Sequence, residues 1–99
     1  MGEKEMKNVL KTGKIQSRSG RTYFADASHI SKSSGTNANK YALPGEKKCF
    51  VEFKIKNEVE ICGPNIVDSK YNRIGGGIEY WVDEGISIEA DIVSYGRLP

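Results

Sequence analysis

The stretch Cys49-Phe50-Val51-Glu52-Phe53-Lys54-Ile55 alternates apolar and charged residues from its third position onward. Successive side chains of a β-strand point to opposite faces, so this alternation predicts a strand with one buried face. Two later segments follow the same period, Ile78 to Val82 and Ile86 to Ser94, and the second puts four apolar residues on one face: Ile86, Ile88, Ala90 and Ile92. These strands predict a fold that is mainly antiparallel β.

The N-terminal part of the chain predicts one helix and one hairpin. Apolar residues fall on one side of a helical pattern from Glu3 to Lys11, and Gly13 supplies the expected stop. The period then changes to two over Lys14 to Arg18 and over Arg21 to Ala25, with Ser19-Gly20 between them. Two such runs joined by a short glycine-containing turn are typical of a β-hairpin.

The middle of the chain predicts a long polar loop and a second hairpin. Asp26 to Asn39 is rich in Ser, Gly, Asn and Thr and has no period, which indicates a mobile loop with a short helical turn near Ser28 to Ser31. Glu58 to Cys62 is expected to return beside the strand Cys49 to Ile55 and to end at Gly63-Pro64. Together these elements predict an α+β fold with about six strands in two small sheets and one or two short helices.

Length and composition restrict the class of protein. A chain of 99 residues supports one hydrophobic core, so residues 1–99 are expected to form a single domain. The 15 basic and 13 acidic side chains are interspersed, without the basic stripe that marks nucleic-acid-binding proteins. No apolar run approaches the roughly 20 residues that a membrane-spanning helix needs. We therefore expect neither a nucleic-acid partner nor a membrane span.

The cysteines and the histidine predict no metal site. Cys49 and Cys62 each lie in an apolar, strand-like run, where a reduced thiol behaves as a small hydrophobic side chain. We expect both to be buried and unpaired. A disulfide is possible if their strands are neighbours, but two cysteines are too few for a disulfide scaffold. One histidine, His29, and two distant thiols do not make a tetrahedral zinc site.

The triple glycine Gly75-Gly76-Gly77 runs directly into the strand that carries Glu79 and Trp81. Glycine permits close approach of the backbone, so three of them before a strand indicate either a ligand pressed against the main chain or a flexible turn. The period of two puts Glu79 and Trp81 on the same face. A carboxylate beside a large aromatic side chain is a candidate catalytic group, although most strand glutamates are simply solvated.

The turn Arg18-Ser19-Gly20-Arg21 is a candidate phosphate-binding site, because arginine binds phosphate bidentately and turn amides add donors. An ordinary solvated turn explains the same residues. Lys40 and Tyr41 close the polar loop and are candidates to face the same ligand. His29 titrates near neutral pH in model peptides, but no carboxylate at helical spacing orients it, which favours an exposed loop residue.

Several of these motifs occur in an order that resembles the tuberculosis necrotizing toxin type of NAD glycohydrolase domain. The resemblance spans about Gly13 to Tyr80 and rests on these segments: Gly13-Lys14-Ile15, Arg18-Ser19-Gly20, Tyr23-Phe24-Ala25, Leu43-Pro44, Gly63-Pro64 and Gly75-Gly76-Gly77-Ile78-Glu79-Tyr80. The closing stretch from Ile86 to Gly96 also resembles the small ADP-ribosyltransferases of polymorphic toxins. Both resemblances imply an ADP-ribosyltransferase-like fold and NAD as the substrate.

The resemblance also implies roles for individual residues. Glu79 stands where the family has a glutamine after its glycines, and it would be the catalytic carboxylate. The implied substrate contacts are the phosphate-binding residues Arg18, Ser19, Gly20, Arg21 and Lys40, the ring-stacking residues Tyr23, Phe24 and Trp81, and the backbone at Gly76 and Gly77. Such toxin domains are secreted or delivered by contact, act in the cytoplasm of the target cell, and are blocked by a cognate immunity protein. The sequence lacks a signal peptide, which is expected of a fragment of a longer polypeptide.

Two alternative functions remain compatible with the residues. A metal-independent ribonuclease toxin also combines a helix with an antiparallel sheet, and its acid–base and phosphate roles would fall to His29, Lys70, Arg73 and Glu79. A binding module or immunity-type protein without catalysis would need only the mixed surface of acidic and basic side chains.

Overall fold

A computed structural model describes residues 1–98 of the chain. Within these residues the chain forms two α-helices, α1 (Glu3–Thr12) and α2 (Ser34–Lys40), and a 3₁₀ turn (Ala27–His29). It also forms six β-strands: β1 (Lys14–Ile15), β2 (Thr22–Phe24), β3 (Cys49–Ile55), β4 (Cys62–Ile66), β5 (Ile78–Val82) and β6 (Ile88–Arg97).

The strands of the described region form two antiparallel three-stranded sheets. The first has the order β1-β6-β3 and the second the order β2-β5-β4. The two C-terminal strands β5 and β6 are therefore the centres of the two sheets, and the other four strands lie at the edges. The predicted α+β class with six strands in two small sheets and two helices is confirmed.

A small core joins the two sheets to α1. Val82 of β5 and Ile88 of β6 are fully buried, and Val9 of α1 packs against them. Phe24 of β2 meets Phe53 of β3 edge to face, with ring centroids 6.2 Å apart. Both phenylalanines are only half-buried, so solvent reaches the part of the core that they form.

Helix α1 ends where the sequence predicts. Gly13 adopts the left-handed conformation with φ of 68°, and its amide donates to the carbonyl of Val9 at 2.7 Å. Glycine takes this conformation without steric cost, which makes it the common residue after the last helical turn. Glu3 and Glu5 in the first turn and Lys11 in the last complement the helix dipole.

The predicted hairpin between Lys14 to Arg18 and Arg21 to Ala25 is wrong. β1 pairs with β6 and β2 pairs with β5, so the two segments belong to different sheets. After Ile15 the chain leaves the first sheet, and the amide of Ser17 donates to the side-chain oxygen of Thr22 at 2.8 Å. A short loop with glycine is compatible with a hairpin but does not require one. Here both segments pair instead with strands from the C-terminal half of the chain.

The predicted strand Glu58 to Cys62 is also wrong in position and in partner. β4 begins at Cys62, runs through the cis Gly63-Pro64 bond and pairs with β5, while β3 pairs with β6. Gly63 permits this pairing, because a Cβ atom there would lie 2.9 Å from the Glu79 carbonyl oxygen. The last strand starts and ends later than predicted. Both cysteines are free as predicted, with Cys49 buried and Cys62 half-buried.

The polar segment Asp26 to Asn39 contains more structure than the predicted mobile loop with one helical turn. Helix α2 begins after Ser33, whose hydroxyl accepts from the amide of Thr36 at 3.3 Å. The buried Asn37 ties the helix to the preceding chain, because its side chain accepts from the Ser31 amide and donates to the Ser31 carbonyl. The residues of this helix have low helix propensity, so capping and burial determine it instead.

Because β6 is the central strand of its sheet, substitutions at its buried and exposed residues should change the free energy of unfolding by very different amounts. Ile88→Ala should lower the free energy of unfolding by about 2–5 kcal/mol, because it removes a fully buried side chain and leaves a cavity. Val93→Ala on the same strand is the control, and it should change stability by less than about 0.5 kcal/mol because Val93 is exposed. Urea unfolding followed by circular dichroism measures both, and equal effects would contradict the assigned core.

Candidate functional site

The candidate site lies on the face of the β2-β5-β4 sheet that points away from the core. Val82 is buried and Tyr80 stacks on Phe24, so these side chains of β5 face inward. Glu79 and Trp81 point to the opposite face, as the period of two predicts. We call the side chains that meet there the outer-face cluster, which consists of Arg21, Tyr23, Asn65, Glu79 and Trp81.

Trp81 is the centre of the outer-face cluster. Tyr23 lies directly across from it in the β2–β5 register, with the ring centroids 6.1 Å apart. The guanidinium carbon of Arg21 lies over the Trp81 ring, 4.9 Å from its centroid. This stacking uses the flat face of the guanidinium and leaves its in-plane N–H donors for a planar anion. No ion pair to Arg21 is formed within residues 1–98.

Glu79 is held at one end of the cluster by the adjacent strand. The side-chain amide of Asn65 on β4 donates to Glu79 Oε1 at 3.2 Å, and the two residues are partners in the strand register. Glu79 is half-buried and lies two residues, or about 7 Å, along β5 from Trp81. The carboxylate is therefore oriented by a hydrogen bond on the same face of the sheet as Trp81.

The triple glycine packs against the end of α2. The amide of Gly77 donates to the Lys40 carbonyl at 2.9 Å, and that of Gly75 donates to the Asn39 carbonyl at 2.8 Å. A Cβ atom on Gly77 would lie 2.7 Å from a ring carbon of Tyr41. The close approach that these glycines permit is thus to the chain itself, and Gly76 is the one of the three that faces open space.

The hydroxyl of Tyr41 is buried beside the cluster. It has no hydrogen-bond partner among residues 1–98. Burial raises the pKa of Tyr41 above its usual range, and the negative charges of Asp26 and Glu79 raise it further. Buried hydroxyls are usually satisfied, and the charge of Glu79 acts on this one, so Tyr41 is a further candidate for the site.

Lys40 borders the site but is already engaged. Its ammonium donates to the carbonyl of His29 at 2.8 Å and lies 5.7 Å from the centroid of the Tyr41 ring. The His29 side chain is exposed, as the loop assignment predicts. The ammonium of Lys40 therefore lies near the Tyr41 ring, and its hydrogen bond to the His29 carbonyl holds it beside the 3₁₀ turn.

The structure does not bring the Arg18 turn together with Glu79. The turn lies beyond Val82, which is three strand positions or about 10 Å along β5 from Glu79. Its Gly20 amide donates to the Glu84 carboxylate at 3.2 Å, and the Ser17 hydroxyl donates to the Ser19 carbonyl. Arg18 itself is exposed.

The predicted contacts thus divide into four groups, of which the turn with Arg18, Ser19 and Gly20 is one. Arg21, Tyr23, Glu79 and Trp81 lie together on the outer face, and Lys40, Gly76 and Gly77 adjoin them at the end of α2. Phe24 points the other way, into the core side of the sheet, where it stacks on Tyr80. Asn65 was not predicted, since only the β4–β5 register reveals it.

Within residues 1–98 no group of three or more His, Cys, Asp and Glu side chains is arranged to hold a metal ion. Neither helix of that region has the length and apolar character needed to cross a lipid bilayer. Comparisons with protein-family models, with curated proteins and with solved structures find no match to this chain. The geometry and the sequence motifs are therefore the basis for any statement about function.

The buried hydroxyl predicts an unusual response to Tyr41→Phe. At pH 7 the substitution should leave stability unchanged or raise it by up to about 1–3 kcal/mol, because it removes an unsatisfied polar group. A raised pKa in the folded state means that the unfolded chain loses its proton first. The wild type should therefore lose stability relative to the variant as the pH rises above 10.0, the usual Tyr value.

Denaturant titrations between pH 7 and pH 11 measure this difference. Tyr71→Phe is the control, because Tyr71 is exposed. A loss of stability at pH 7 in Tyr41→Phe larger than in Tyr71→Phe would show that the hydroxyl makes a stabilising contact and would remove it from the site.

Proposed function

We propose that this chain is an NAD-cleaving domain, either an NAD glycohydrolase or an ADP-ribosyltransferase. The single observation that carries the proposal is the placement of the Glu79 carboxylate, fixed by Asn65, on the same sheet face as Trp81 and the guanidinium of Arg21. The order of motifs along the chain, which resembles NAD-cleaving toxins, supports the same substrate.

The substrate class follows from the chemistry of the outer-face cluster. NAD carries a cationic aromatic ring, a ribose and a pyrophosphate in one extended molecule. Tyr23 and Trp81 offer aromatic surface to a planar ring, and the in-plane N–H groups of Arg21 suit a phosphate. The guanidinium of Arg21 lies over Trp81, which is about 7 Å along β5 from Glu79, so one extended ligand can contact both.

Glu79 is assigned the role of stabilising positive charge. When the bond between the nicotinamide nitrogen and ribose C1′ breaks, its electron pair goes to the nitrogen and C1′ becomes electron-deficient. A carboxylate held beside that carbon lowers the barrier, because its charge is already oriented when the transition state forms. Addition of water at C1′ and loss of a proton then give ADP-ribose and neutral nicotinamide; a nucleophilic side chain of a target in place of water gives ADP-ribosylation.

The biological setting comes from the resemblance alone. A toxin domain of this kind would be secreted or delivered by contact, would act in the cytoplasm of the target cell, and would be neutralised by an immunity protein. Among residues 1–98 no contact of the His29 ring supports the ribonuclease alternative, since His29 is exposed and binds Lys40 through its carbonyl.

Glu79→Ala should lower kcat/KM for nicotinamide release from NAD by about 10²-fold or more, because the side chain that stabilises the transition state is removed. Glu89→Ala, a change of an exposed carboxylate on β6, should retain full activity. Chromatography measures the released nicotinamide, and circular dichroism shows that both variants are folded. Full turnover in Glu79→Ala would remove Glu79 from the mechanism, and cleavage of tRNA without NAD loss would replace the proposal with the ribonuclease.

Substitution of the two arginines in the predicted phosphate-binding turn should change KM for NAD by different amounts. Arg21→Ala should raise KM for NAD about tenfold or more, since hydrogen bonds to charged groups contribute about 1.5–3 kcal/mol. Arg18→Ala should change KM by less than about twofold, because Arg18 is exposed and lies in the turn beyond the end of β5. Steady-state kinetics of the two variants compare them directly, and a larger effect at Arg18 would move the phosphate site to the turn.

A further inference from the structure

A groove of about 690 Å³ lies between the two sheets, on the side of β5 opposite to the outer-face cluster. Its wall is mainly apolar and includes six large side chains: Phe24, Ile30, Phe50, Phe53, Ile61 and Tyr80. Ile30 and Ile61 are 38% and 49% exposed, which is more than an apolar core residue tolerates without a partner. We call this feature the inter-sheet groove.

The groove follows the free edge of β3. Four consecutive residues of this strand, Phe50 to Phe53, line it, and neighbouring strand residues point to opposite faces. The lining also includes Ser94, the cross-strand partner of Glu52, so the groove covers that face of β3 and reaches around its edge to Val51 and Phe53. β3 has β6 as its neighbour on the other side, and within residues 1–98 its free edge is paired only at Cys49, by Met1.

The opposite wall comes from the end of β2 and the turn that follows it. Phe24 is the last residue of β2, Ala25 and Asp26 follow the strand, and Ala27 begins the 3₁₀ turn. The unpaired strand edge that borders the groove is therefore that of β3. Such an edge presents a row of amide and carbonyl groups that bind another strand readily.

The charges of the groove are mainly acidic. Glu52 on β3 and Asp26 after β2 both line it, and neither forms an ion pair within the described residues. Hydrogen bonds from the hydroxyl and the amide of Ser28 lower the pKa of Asp26, which keeps that carboxylate ionised. Lys32 contributes one positive charge. An occupant that combines an apolar face with a cation beside Glu52 and Asp26 complements this surface.

We propose that the inter-sheet groove binds an extended segment of a partner protein, which adds as a strand to the free edge of β3. Its apolar side chains alternate along the segment and pack on the side of β3 that carries Val51 and Phe53. A lysine or arginine on its other face lies beside Glu52. Main-chain hydrogen bonds between the segment and β3 provide affinity, and the contacts of alternate side chains determine which sequences bind.

This docking site does not depend on the proposed NAD chemistry. Tyr80 contributes to the groove, while its neighbours Glu79 and Trp81 belong to the opposite face of β5. Glu52 lies on β3 in the other sheet. The segment can therefore be tested with variants that leave the outer-face cluster intact.

The probe is a fluorescein-labelled peptide, Ser-Val-Lys-Val-Thr-Val-Ser, together with its twin in which Glu replaces Lys. Anisotropy titrations against the full chain should show the Lys peptide binding at least tenfold more tightly than the Glu peptide. Glu52→Lys should reverse this preference, which a merely unfolded variant cannot do. Glu89→Lys is the control, because that exposed carboxylate lies outside the groove, and it should leave the preference unchanged.

Amide hydrogen exchange provides the second readout. The Lys peptide should slow exchange in Phe50 to Ile55, and Glu52→Lys should keep wild-type turnover of NAD if the chain has that activity. The proposal is overturned by absence of binding for both peptides, by a preference that Glu52→Lys does not reverse, or by unchanged exchange in β3. Concentration-dependent dimerisation that Glu52→Lys abolishes would also overturn it, since the occupant would then be a second copy of this chain.

Discussion

The burial of Val82 between the two sheets fixes the orientation of the other β5 side chains. Because the period of a strand is two, a one-residue shift would place Glu79 and Trp81 in the core and expose Val82. The burial of Val82 and the stacking of Tyr80 on Phe24 exclude that shift. The same packing that closes the core thus presents a carboxylate and an indole on the opposite face of the sheet.

A second constraint connects the polar segment to this strand. Gly77 lets the backbone of β5 approach the end of α2 so closely that a side chain would overlap the Tyr41 ring. Helix α2 is short and has poor helix formers, and its position depends on this contact and on the buried Asn37. Tyr41 and Glu79 are neighbours for the same reason, so the environment of the carboxylate is set by a helix that carries no catalytic residue of its own.

The features that depend on a local period can be predicted from the sequence, whereas those that depend on which strands pair cannot. β3 and β5 have the predicted bounds because a period of two is visible in each, and α1 stops at Gly13 because glycine after a helix is a local signal. The partners of β1, β2 and β4 are long-range choices, and nothing in a short strand reveals them. The candidate site follows the same division: Glu79 and Trp81 could be found from their strand, whereas Asn65 requires the β4–β5 register and the isolation of Arg18 requires the β2–β5 pairing.

Strand β5 contributes side chains to both faces of the β2-β5-β4 sheet. Tyr80 faces the inter-sheet groove, while Glu79 and Trp81, its neighbours in the chain, face the outer-face cluster. A strand docked in the groove would restrict β2 and β5 through Phe24 and Tyr80, and it would thereby reduce the motion of the side chains on the opposite face. Ordering one face of a shared strand lowers the entropy cost of binding at the other, so the two sites would be positively coupled without any change in the outer-face contacts.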